Sequence, residues 1–288
     1  MGFDVLEPRS IEEVTSLLSQ YGEEARILAG GQSLLLMIRS ALLKPRVLLS
    51  LGQLDRLAQI TVTSHGNLSV GALATHREVS TSPLVRERAA MLVEAATRVG
   101  STPVRNLGTI GGNLCHNEMG SDPPPVLLAL EAQVECISIR GKREIPVSEF
   151  TTNYFETCIE PDEILVGIEI PPLPAGGQGV YVKHVNRSGD LAMVGVAAWL
   201  KLKSGICEEL RLALGGVGPI PFRASQVEQL VEHKPFDDSL IEEAAAAAAD
   251  MSDPISDAHA SADYRRKMVR VMVKRALHAA VNKAQRSP

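Results

Sequence analysis

The sequence predicts an α+β protein with two successive regions, and three observations support this. A strand–helix–strand pattern occupies roughly the first fifty residues, followed by a hairpin and a mixture of helices and strands. A stretch rich in proline and glycine, Pro171 to Gly179, then interrupts all periodicity. Three strand-like segments and three helix-like segments come after it, an order typical of a layered α+β domain. We therefore predict a region at residues 1–175, with subdomains of about 1–53 and 54–175, and a second region at 176–288 containing a three-stranded sheet with helices.

Composition excludes several classes of partner. Of the 288 residues, 45% are hydrophobic, which is sufficient for a substantial core. Aromatic residues make up 3% and the net charge is −5 with no basic block, so we expect no nucleic-acid partner. No apolar run approaches the roughly 20 residues of a membrane helix, and the N-terminus has no signal-peptide pattern. We therefore predict a cytoplasmic protein with no membrane span.

The four cysteines are widely spaced and form no C-x-x-C pair. This spacing argues against a zinc site or an iron–sulfur cluster held by this chain, and we predict reduced, mostly buried thiols.

The first subdomain is predicted to alternate helices and strands. Ser10 and Glu13 form a capping-box pattern at the start of an amphipathic helix that reaches Tyr21. Ser33 is placed to cap a second helix, which Pro45 ends. This second helix is predicted over Leu34 to Leu43. One strand, Ala25 to Ala29, precedes it, and another, Val47 to Leu51, follows it.

The second subdomain begins with a predicted hairpin that turns at His65-Gly66-Asn67. Thr75 and Glu78 indicate a capped helix, and a longer helix is predicted from Pro83 to Val99, ended by Gly100. The strands of this subdomain are Ala58 to Thr63, Leu68 to Leu73, Gln133 to Ile139 and Glu163 to Ile170.

In the second region, alternating apolar and polar residues predict three strands, and helical periodicity then predicts three helices. Its strands are Val180 to Val185, Ala192 to Lys203 and Glu209 to Leu214, and its helices are Ala224 to His233, Ser239 to Ala249 and Ala262 to Ala284.

Two glycine turns are the most informative local features. Gly30-Gly31 lies between an apolar run and a helical segment, and Gly111-Gly112 is flanked by Thr109 and Asn113. Such a turn alone is most often only a tight connection. Two of them, each ending in a small hydroxyl or amide residue, are better explained by one pyrophosphate held from two sides. Neither turn fits the dinucleotide fingerprint or the P-loop.

An acidic step follows the second turn. Ser121 or Asp122 can cap the helix predicted from Pro123 to Leu130, because proline is well tolerated in a first helical turn. The same carboxylate can bond sugar hydroxyls, so Asp122 is either a helix cap, a ligand contact or both. The two turns and the acid together suit a phosphate-bearing ligand with sugar-type hydroxyls.

At these turns the sequence resembles a known family, the FAD-binding medium subunits of the molybdenum hydroxylases, which include carbon monoxide dehydrogenase and the flavin portion of xanthine dehydrogenase. The resemblance covers essentially the whole chain. Its motifs are AGGQS (29–33), TIGGN (109–113), the Ser121-Asp122-Pro123 step, DEILVGIEIP (162–171), YVKHVNRSGDLA (181–192), LGGVGPIPFRA (214–224) and YRRKMVRVMVKRAL (264–277).

The resemblance implies a PCMH-type FAD-binding region followed by the C-terminal domain of these flavoproteins. The two turns would wrap the FAD pyrophosphate, Asp122 would bond a sugar or ribityl hydroxyl, and Lys183 would lie near the ring system. The residues implied to bind FAD are Ala29, Gly30, Gly31, Gln32, Ser33, Leu34, Val99, Gly100, Thr109, Ile110, Gly111, Gly112, Asn113, Asp122, Ile164, Leu165 and Lys183.

The resemblance also implies an oxidoreductase subunit that transfers electrons and carries neither catalytic residues nor a metal. A molybdenum cofactor would lie in a large partner subunit and two [2Fe-2S] clusters in a small one, the whole forming a dimer of heterotrimers. The substrate remains open among carbon monoxide, an N-heterocycle, an aldehyde and an acyl-CoA, and so does the acceptor.

This chain departs from the carbon monoxide dehydrogenase type at two positions. Leu191 stands where an aromatic is frequent, so the aromatic cover of the flavin is in question. Gln32 stands where histidine is common; it can donate a hydrogen bond but cannot titrate.

Other interpretations remain. Lys183 is alternatively an exposed strand residue, and His116 is either a phosphate contact or a polar loop residue. A self-contained flavin oxidase would need a catalytic base, for which His184 and Asp190 are the candidates. An interaction module that has lost its flavin is disfavoured, since paired glycines have little value without a ligand. The basic face of the last helix is either solvated or meets an acidic partner.

Overall fold

The computed structural model describes residues 2–286 and has a mixed helix and sheet architecture, as predicted. Its strands are β1 (Asp4–Leu6), β2 (Ala25–Leu28), β3 (Val47–Ser50), β4 (Ile60–Val62), β5 (Leu68–Gly71), β6 (Gln133–Ser138), β7 (Gly141–Pro146), β8 (Thr151–Asn153), β9 (Glu156–Thr157), β10 (Ile164–Ile170), β11 (Gly177–His184), β12 (Val194–Lys203), β13 (Ile206–Gly215) and β14 (Phe222–Arg223).

The helices are α1 (Ile11–Tyr21), α2 (Leu34–Arg39), α3 (His76–Thr81), α4 (Pro83–Arg88), α5 (Ala90–Arg98), α6 (Thr102–Leu107), α7 (Ile110–His116), α8 (Pro123–Ala129), α9 (Val147–Phe150), α10 (Ser225–Val231), α11 (Asp238–Asp250) and α12 (Ala262–Arg286). Between residues 2 and 286, no helix combines the length and apolar character needed to cross a bilayer.

The first subdomain is built on a parallel sheet with strand order β1-β3-β2. The hydroxyl of Ser10 accepts the N–H of Glu13, and the Glu13 carboxylate accepts the N–H of Arg9, so the capping exchange extends one residue further back than predicted. Two predictions for α2 are wrong. The helix ends at Arg39, and the Ser33 side chain makes no capping bond.

The second subdomain contains a five-stranded antiparallel sheet with order β4-β5-β10-β6-β7. The predicted hairpin is present, and Thr75 and Glu78 form a reciprocal capping box. The single helix predicted from Pro83 to Val99 is wrong, because Ala89 leaves the helical region with φ −147° and ψ 55°. Two short helices replace it, and Val85 of the first and Leu92 of the second are both fully buried in the same core.

The second region holds an antiparallel sheet of four strands, β11-β12-β13-β14, rather than the predicted three. The extra strand, β14, has two residues and was too short to show alternation. Strand β11 begins at Gly177, inside the predicted linker. A Cβ at position 177 would lie 1.9 Å from the Trp199 ring, so only glycine lets the strand pass this ring.

Strand alternation gives this sheet two buried faces. Val180, Val196 and Ala198 belong to the core shared with helices α10, α11 and α12. Tyr181 and Trp199 belong to the core of the second subdomain instead. Strand β11 therefore contributes the side chain of Tyr181 to the core of the second subdomain. The division into domains at 1–175 and 176–288 stays a prediction.

Candidate functional site

The structure brings the two glycine turns together. The first turn follows β2, and the second opens α7, where the Thr109 hydroxyl accepts the N–H of Gly112 at 3.1 Å. A Cβ at position 112 would lie 4.0 Å from the Cβ of Ala29. The two turns thus form adjacent walls of one surface.

Two of the four glycines are required by the fold. A Cβ on Gly30 would lie 2.0 Å from the carbonyl oxygen of Leu107, and one on Gly111 would lie 2.6 Å from the Cβ of Ala72. The expectation that these glycines have little value without a ligand is therefore incorrect at both positions. Glycine is favoured at position 31 for another reason: its φ is +70°, in the left-handed region that residues with a side chain rarely adopt. Gly112 is the exposed member of the set.

The first turn offers a row of free backbone donors. Within residues 2–286, the N–H groups of residues 30–33 donate to no protein acceptor. The amide of Gln32 folds back to donate to the carbonyl of Gly30 at 3.1 Å. Consecutive unpaired N–H groups form a concavity that attracts anions without a formal positive charge.

Asn113, directly after the second glycine turn, has an unpaired hydrogen-bond acceptor. Its Nδ2 donates to the hydroxyl of Ser121 at 3.3 Å. Its Oδ1 is buried and has no partner among the described residues. Because an unsatisfied buried acceptor costs about 1–3 kcal/mol, this oxygen favours a donor from a ligand or an ordered water.

Asp122 is held by two residues of β11. Its Oδ1 accepts the hydroxyl of Tyr181 at 2.7 Å, and its Oδ2 accepts the ammonium of Lys183 at 2.8 Å. Both charged side chains are 4% exposed, so the interpretation of Lys183 as an exposed strand residue is wrong. Asp122 occupies the N-cap position of α8 but makes no capping bond, so that prediction is also wrong.

The protonation states of this cluster follow from its environment. Burial raises the pKa of Asp122, while Lys183 and the Tyr181 hydroxyl act in the opposite direction. Burial and the adjacent carboxylate raise the pKa of Tyr181 well above its usual value. Tyr181 is therefore a neutral donor at any physiological pH.

The loop between β11 and β12 extends past this cluster. At one end, a Cβ on Gly189 would lie 3.4 Å from the carbonyl oxygen of Gly100. At the other end, the N–H of Ala192 donates to the carbonyl of Gly120 at 2.9 Å. Leu191, the residue that replaces an aromatic, is 55% exposed on this loop. Its effect on a bound flavin stays a prediction.

Three apolar site residues have side chains enclosed by protein. Ile110, Ile164 and Leu165 are 0%, 1% and 4% exposed, and Ile164 packs in a different core from the other two. Contact between their side chains and a ring system is not visible in the fold and stays a prediction. Val99 is 9% exposed, and its carbonyl and that of Gly100 each accept the guanidinium of Arg105 at 2.9 Å.

The two candidate catalytic bases of a flavin oxidase, His184 and Asp190, already make hydrogen bonds within the chain. The Nε2 of His184 lies 3.0 Å from the Tyr264 hydroxyl, and the Asp190 carboxylate accepts the N–H of Arg187 within its own turn. His116 lies at the far end of α7 from Gly112, where its ring packs against Phe155 at 5.3 Å. The interpretation of His116 as a loop residue is therefore wrong, since it is the last residue of α7, and its contact with phosphate stays a prediction.

The basic residues of α12 are largely neutralised within the chain. Arg265 is 2% exposed and donates to the Asp257 carboxylate at 2.6 Å, as well as to two backbone carbonyls. Arg270 and Lys274 both pair with Glu242 of α11. This face therefore stabilises helix packing, and it is a weak candidate for an acidic partner.

Sequence reasoning missed His76. The residue is 2% exposed, its N–H donates to the carbonyl of Gly108, and its Nδ1 has no partner among the described residues. Burial, followed by the nearby Arg105, lowers its pKa to about 4. The position beside the capping residue Thr75 was visible in the sequence, but nothing there indicated contact with the second glycine turn.

The cysteines are free, as expected, and two of them, Cys136 and Cys207, are buried. Burial raises the pKa of Cys115 and Cys136 to about 12, so these thiols are poor nucleophiles and weak metal ligands.

Comparison with known proteins identifies the two regions. Residues 1–173 match the family described as "FAD binding domain in molybdopterin dehydrogenase", and residues 180–280 match the "CO dehydrogenase flavoprotein C-terminal domain". The chain is 34% identical to the 6-hydroxypseudooxynicotine dehydrogenase complex subunit alpha of Paenarthrobacter nicotinovorans, covering 98% of this chain and 96% of that one. It is also 34% identical to the glyceraldehyde dehydrogenase medium chain of Sulfolobus acidocaldarius, covering 95% and 96%.

The fold gives the same result. A chain of the carbon monoxide dehydrogenase of Hydrogenophaga pseudoflava superposes with a TM-score of 0.95 at 33% identity, covering 98% of each chain. The fold and site thus define a flavoprotein subunit of an oxidoreductase. The chain belongs to the family of FAD-binding medium subunits of the molybdenum hydroxylases, which includes the corresponding subunits of carbon monoxide and xanthine dehydrogenases.

The residues present fit FAD. The free N–H groups of residues 30–33 suit a pyrophosphate, and the unpaired Oδ1 of Asn113 suits a hydroxyl donor. The exposed Gly112 leaves the start of α7 open beside Ala29.

Proposed function

We propose that this chain is the FAD-binding electron-transfer subunit of a multi-subunit molybdenum hydroxylase. It accepts electrons from [2Fe-2S] clusters of a partner subunit and passes them to an external acceptor. The observation that carries this proposal is the presence of both free N–H donors at residues 30–33 and an unpaired acceptor on Asn113. The chain that holds them aligns over 95% of its length with a dehydrogenase medium chain. Bound FAD supplies reversible uptake and release of electrons.

The chain's own groups bind and orient in this proposal. The backbone of residues 30–33 and the start of α7 hold the pyrophosphate, and Asn113 accepts a hydroxyl. Each oxygen of Asp122 already accepts one bond, and a carboxylate oxygen has a second lone pair for a sugar or ribityl hydroxyl. Neutral donors hold the phosphates, so binding does not require a cationic cluster.

The partners follow from the family. A large subunit carries the molybdenum cofactor and chooses the substrate, a small subunit carries two [2Fe-2S] clusters, and two heterotrimers associate. Two relatives whose names give very different substrates, 6-hydroxypseudooxynicotine and glyceraldehyde, align with 98% and 95% of this chain, which supports a substrate-independent role for it. The cytoplasm stays the predicted compartment.

The alternative of a self-contained flavin oxidase has less support. Its two candidate bases are His184, which is hydrogen-bonded to Tyr264, and Asp190, which is bonded within its turn. A base over the flavin would need a free acceptor in the correct protonation state.

A visible spectrum and native mass of the protein from its own source test the proposal. Flavin bands with additional iron–sulfur absorbance, in a particle several times the mass of this chain, support the electron-transfer subunit. A yellow protein of this chain's mass alone that turns over a substrate would contradict it. A colourless protein that cannot be reconstituted with FAD would leave only a role as an interaction module.

A further inference from the structure

Strand β11 contributes a buried hydroxyl to the site. Tyr181 and Lys183 are two residues apart, so their side chains lie on the same face of the strand. That face meets the second subdomain, where Tyr181 is 1% exposed and its hydroxyl reaches Asp122 across 59 residues of sequence. Asp122 is thus oriented by the second region of the chain.

The strand is itself held firmly at this point. The N–H of Tyr181 donates to the Glu94 carboxylate of α5 at 2.7 Å. The ammonium of Lys283, near the end of α12, donates to the same carboxylate at 2.6 Å and to the carbonyl of Gly179 at 3.0 Å. The Tyr181 backbone therefore has little freedom to move its hydroxyl away from Asp122.

Gly195 on the neighbouring strand leaves room for this hydroxyl. It pairs with Lys183 in the β11–β12 register. A Cβ at position 195 would lie 2.7 Å from the hydroxyl oxygen of Tyr181, closer than a carbon can approach without displacement. A larger residue at position 195 would therefore displace the Tyr181 hydroxyl from this position.

We propose that Tyr181 is a positioning residue for FAD, which with Lys183 holds the Asp122 carboxylate so that each oxygen keeps a lone pair for a ligand hydroxyl. The proposal rests on the proposed function, and it assigns part of the cofactor site to the second region. Tyr181 does not itself touch the cofactor. A phenol and an ammonium on the two oxygens prevent rotation of the carboxylate, and rotation would otherwise weaken binding.

The test measures FAD dissociation from the full chain by flavin fluorescence, for Tyr181→Phe and for the control Tyr21→Phe. Tyr21 packs against a separate core in the first subdomain. We expect Tyr181→Phe to weaken FAD binding about tenfold, the effect of one hydrogen bond to a charged group, and Tyr21→Phe to change it less than twofold. Gly195→Ala, which displaces the hydroxyl without removing it, should weaken binding in the same direction.

A pH profile separates positioning from simple stabilisation. The charged and titratable groups that face Asp122 are Tyr181 and Lys183 of β11 and Arg98 of α5. Without the tyrosine hydroxyl, the carboxylate should protonate at a higher pH, so FAD affinity should be lost at a higher pH than in the unmodified chain. A merely structural role would lower the melting temperature and leave this profile in place.

The outcomes are distinct. In one outcome the unmodified chain binds FAD, the FAD affinity of Tyr181→Phe lies within twofold of it, and the pH dependence of that affinity is unchanged. This outcome overturns the positioning role and leaves the proposed function unaffected. If the unmodified chain binds no FAD under any condition, the proposed function fails and this proposal with it.

Discussion

The ammonium of Lys183 lies 2.8 Å from Oδ2 of Asp122, and the two residues are 61 positions apart in the chain. Each side chain is 4% exposed, so the pair is shielded from bulk water. Removing one partner of such a pair leaves an uncompensated buried charge.

Lys183→Met should therefore destabilise the chain by about 3–5 kcal/mol, because it leaves the Asp122 carboxylate buried without its cation. Lys183→Arg keeps the charge and should recover part of the loss. Urea unfolding of both variants measures the difference. Equal stability of Lys183→Met and the unmodified protein would show that the pair contributes nothing.

Asn113→Asp should weaken FAD binding by at least tenfold, because the new carboxylate repels the phosphates and removes the Nδ2 donor to Ser121. The exposed Asn282→Asp in α12 is the matched control, since it adds the same charge at a surface position away from the glycine turns. Flavin fluorescence titration of the two full-length variants provides the comparison. Identical affinities would exclude Asn113 from the site.

Gly111→Ala should destabilise the chain by about 1–3 kcal/mol even without FAD, because the new methyl group would overlap Ala72. Gly112→Ala would instead press against the Thr109 hydroxyl, at 2.8 Å, and loosen the cap of α7. We expect the first variant to change the melting temperature of the cofactor-free chain more than the second. The reverse order would contradict the packing role assigned to Gly111.

His76 should make stability depend on pH. Burial lowers its pKa to about 4, below the unfolded value of about 6.5, so the unfolded chain binds the proton first as the pH falls. Stability is fully present above about pH 6.5 and is lost toward pH 4, by about 3 kcal/mol in total. His76→Leu should flatten this part of the profile in urea unfolding. An unchanged slope would mean that other groups cause it.

Local sequence patterns predicted most of the elements that have strong periodicity or end signals. The capping pattern of Thr75 and Glu78 and the turn at Gly66 specify structure within a few residues, so neighbours in the chain supply all the information. The helix predicted from Pro83 to Val99 is wrong because Ala89, with φ −147° and ψ 55°, divides it into two short helices. No local rule marks an alanine as a helix break.

Some features of the candidate site could likewise be predicted from local sequence patterns, and others depend on tertiary packing. The glycine turns, Asp122 and Lys183 could all be selected from the sequence, because glycine pairs, caps and the family motifs are local signals. The sequence alone therefore specified the family of this chain and the segments predicted to meet the cofactor.

Only the tertiary structure revealed that Gly30 and Gly111 are needed for backbone packing, that Asp122 bonds Tyr181 and Lys183 instead of capping α8, and that His76 is buried beside the second turn. These relationships join residues far apart in the sequence. Their energies come from burial and close approach, which exist only once the chain has folded and these segments have packed together.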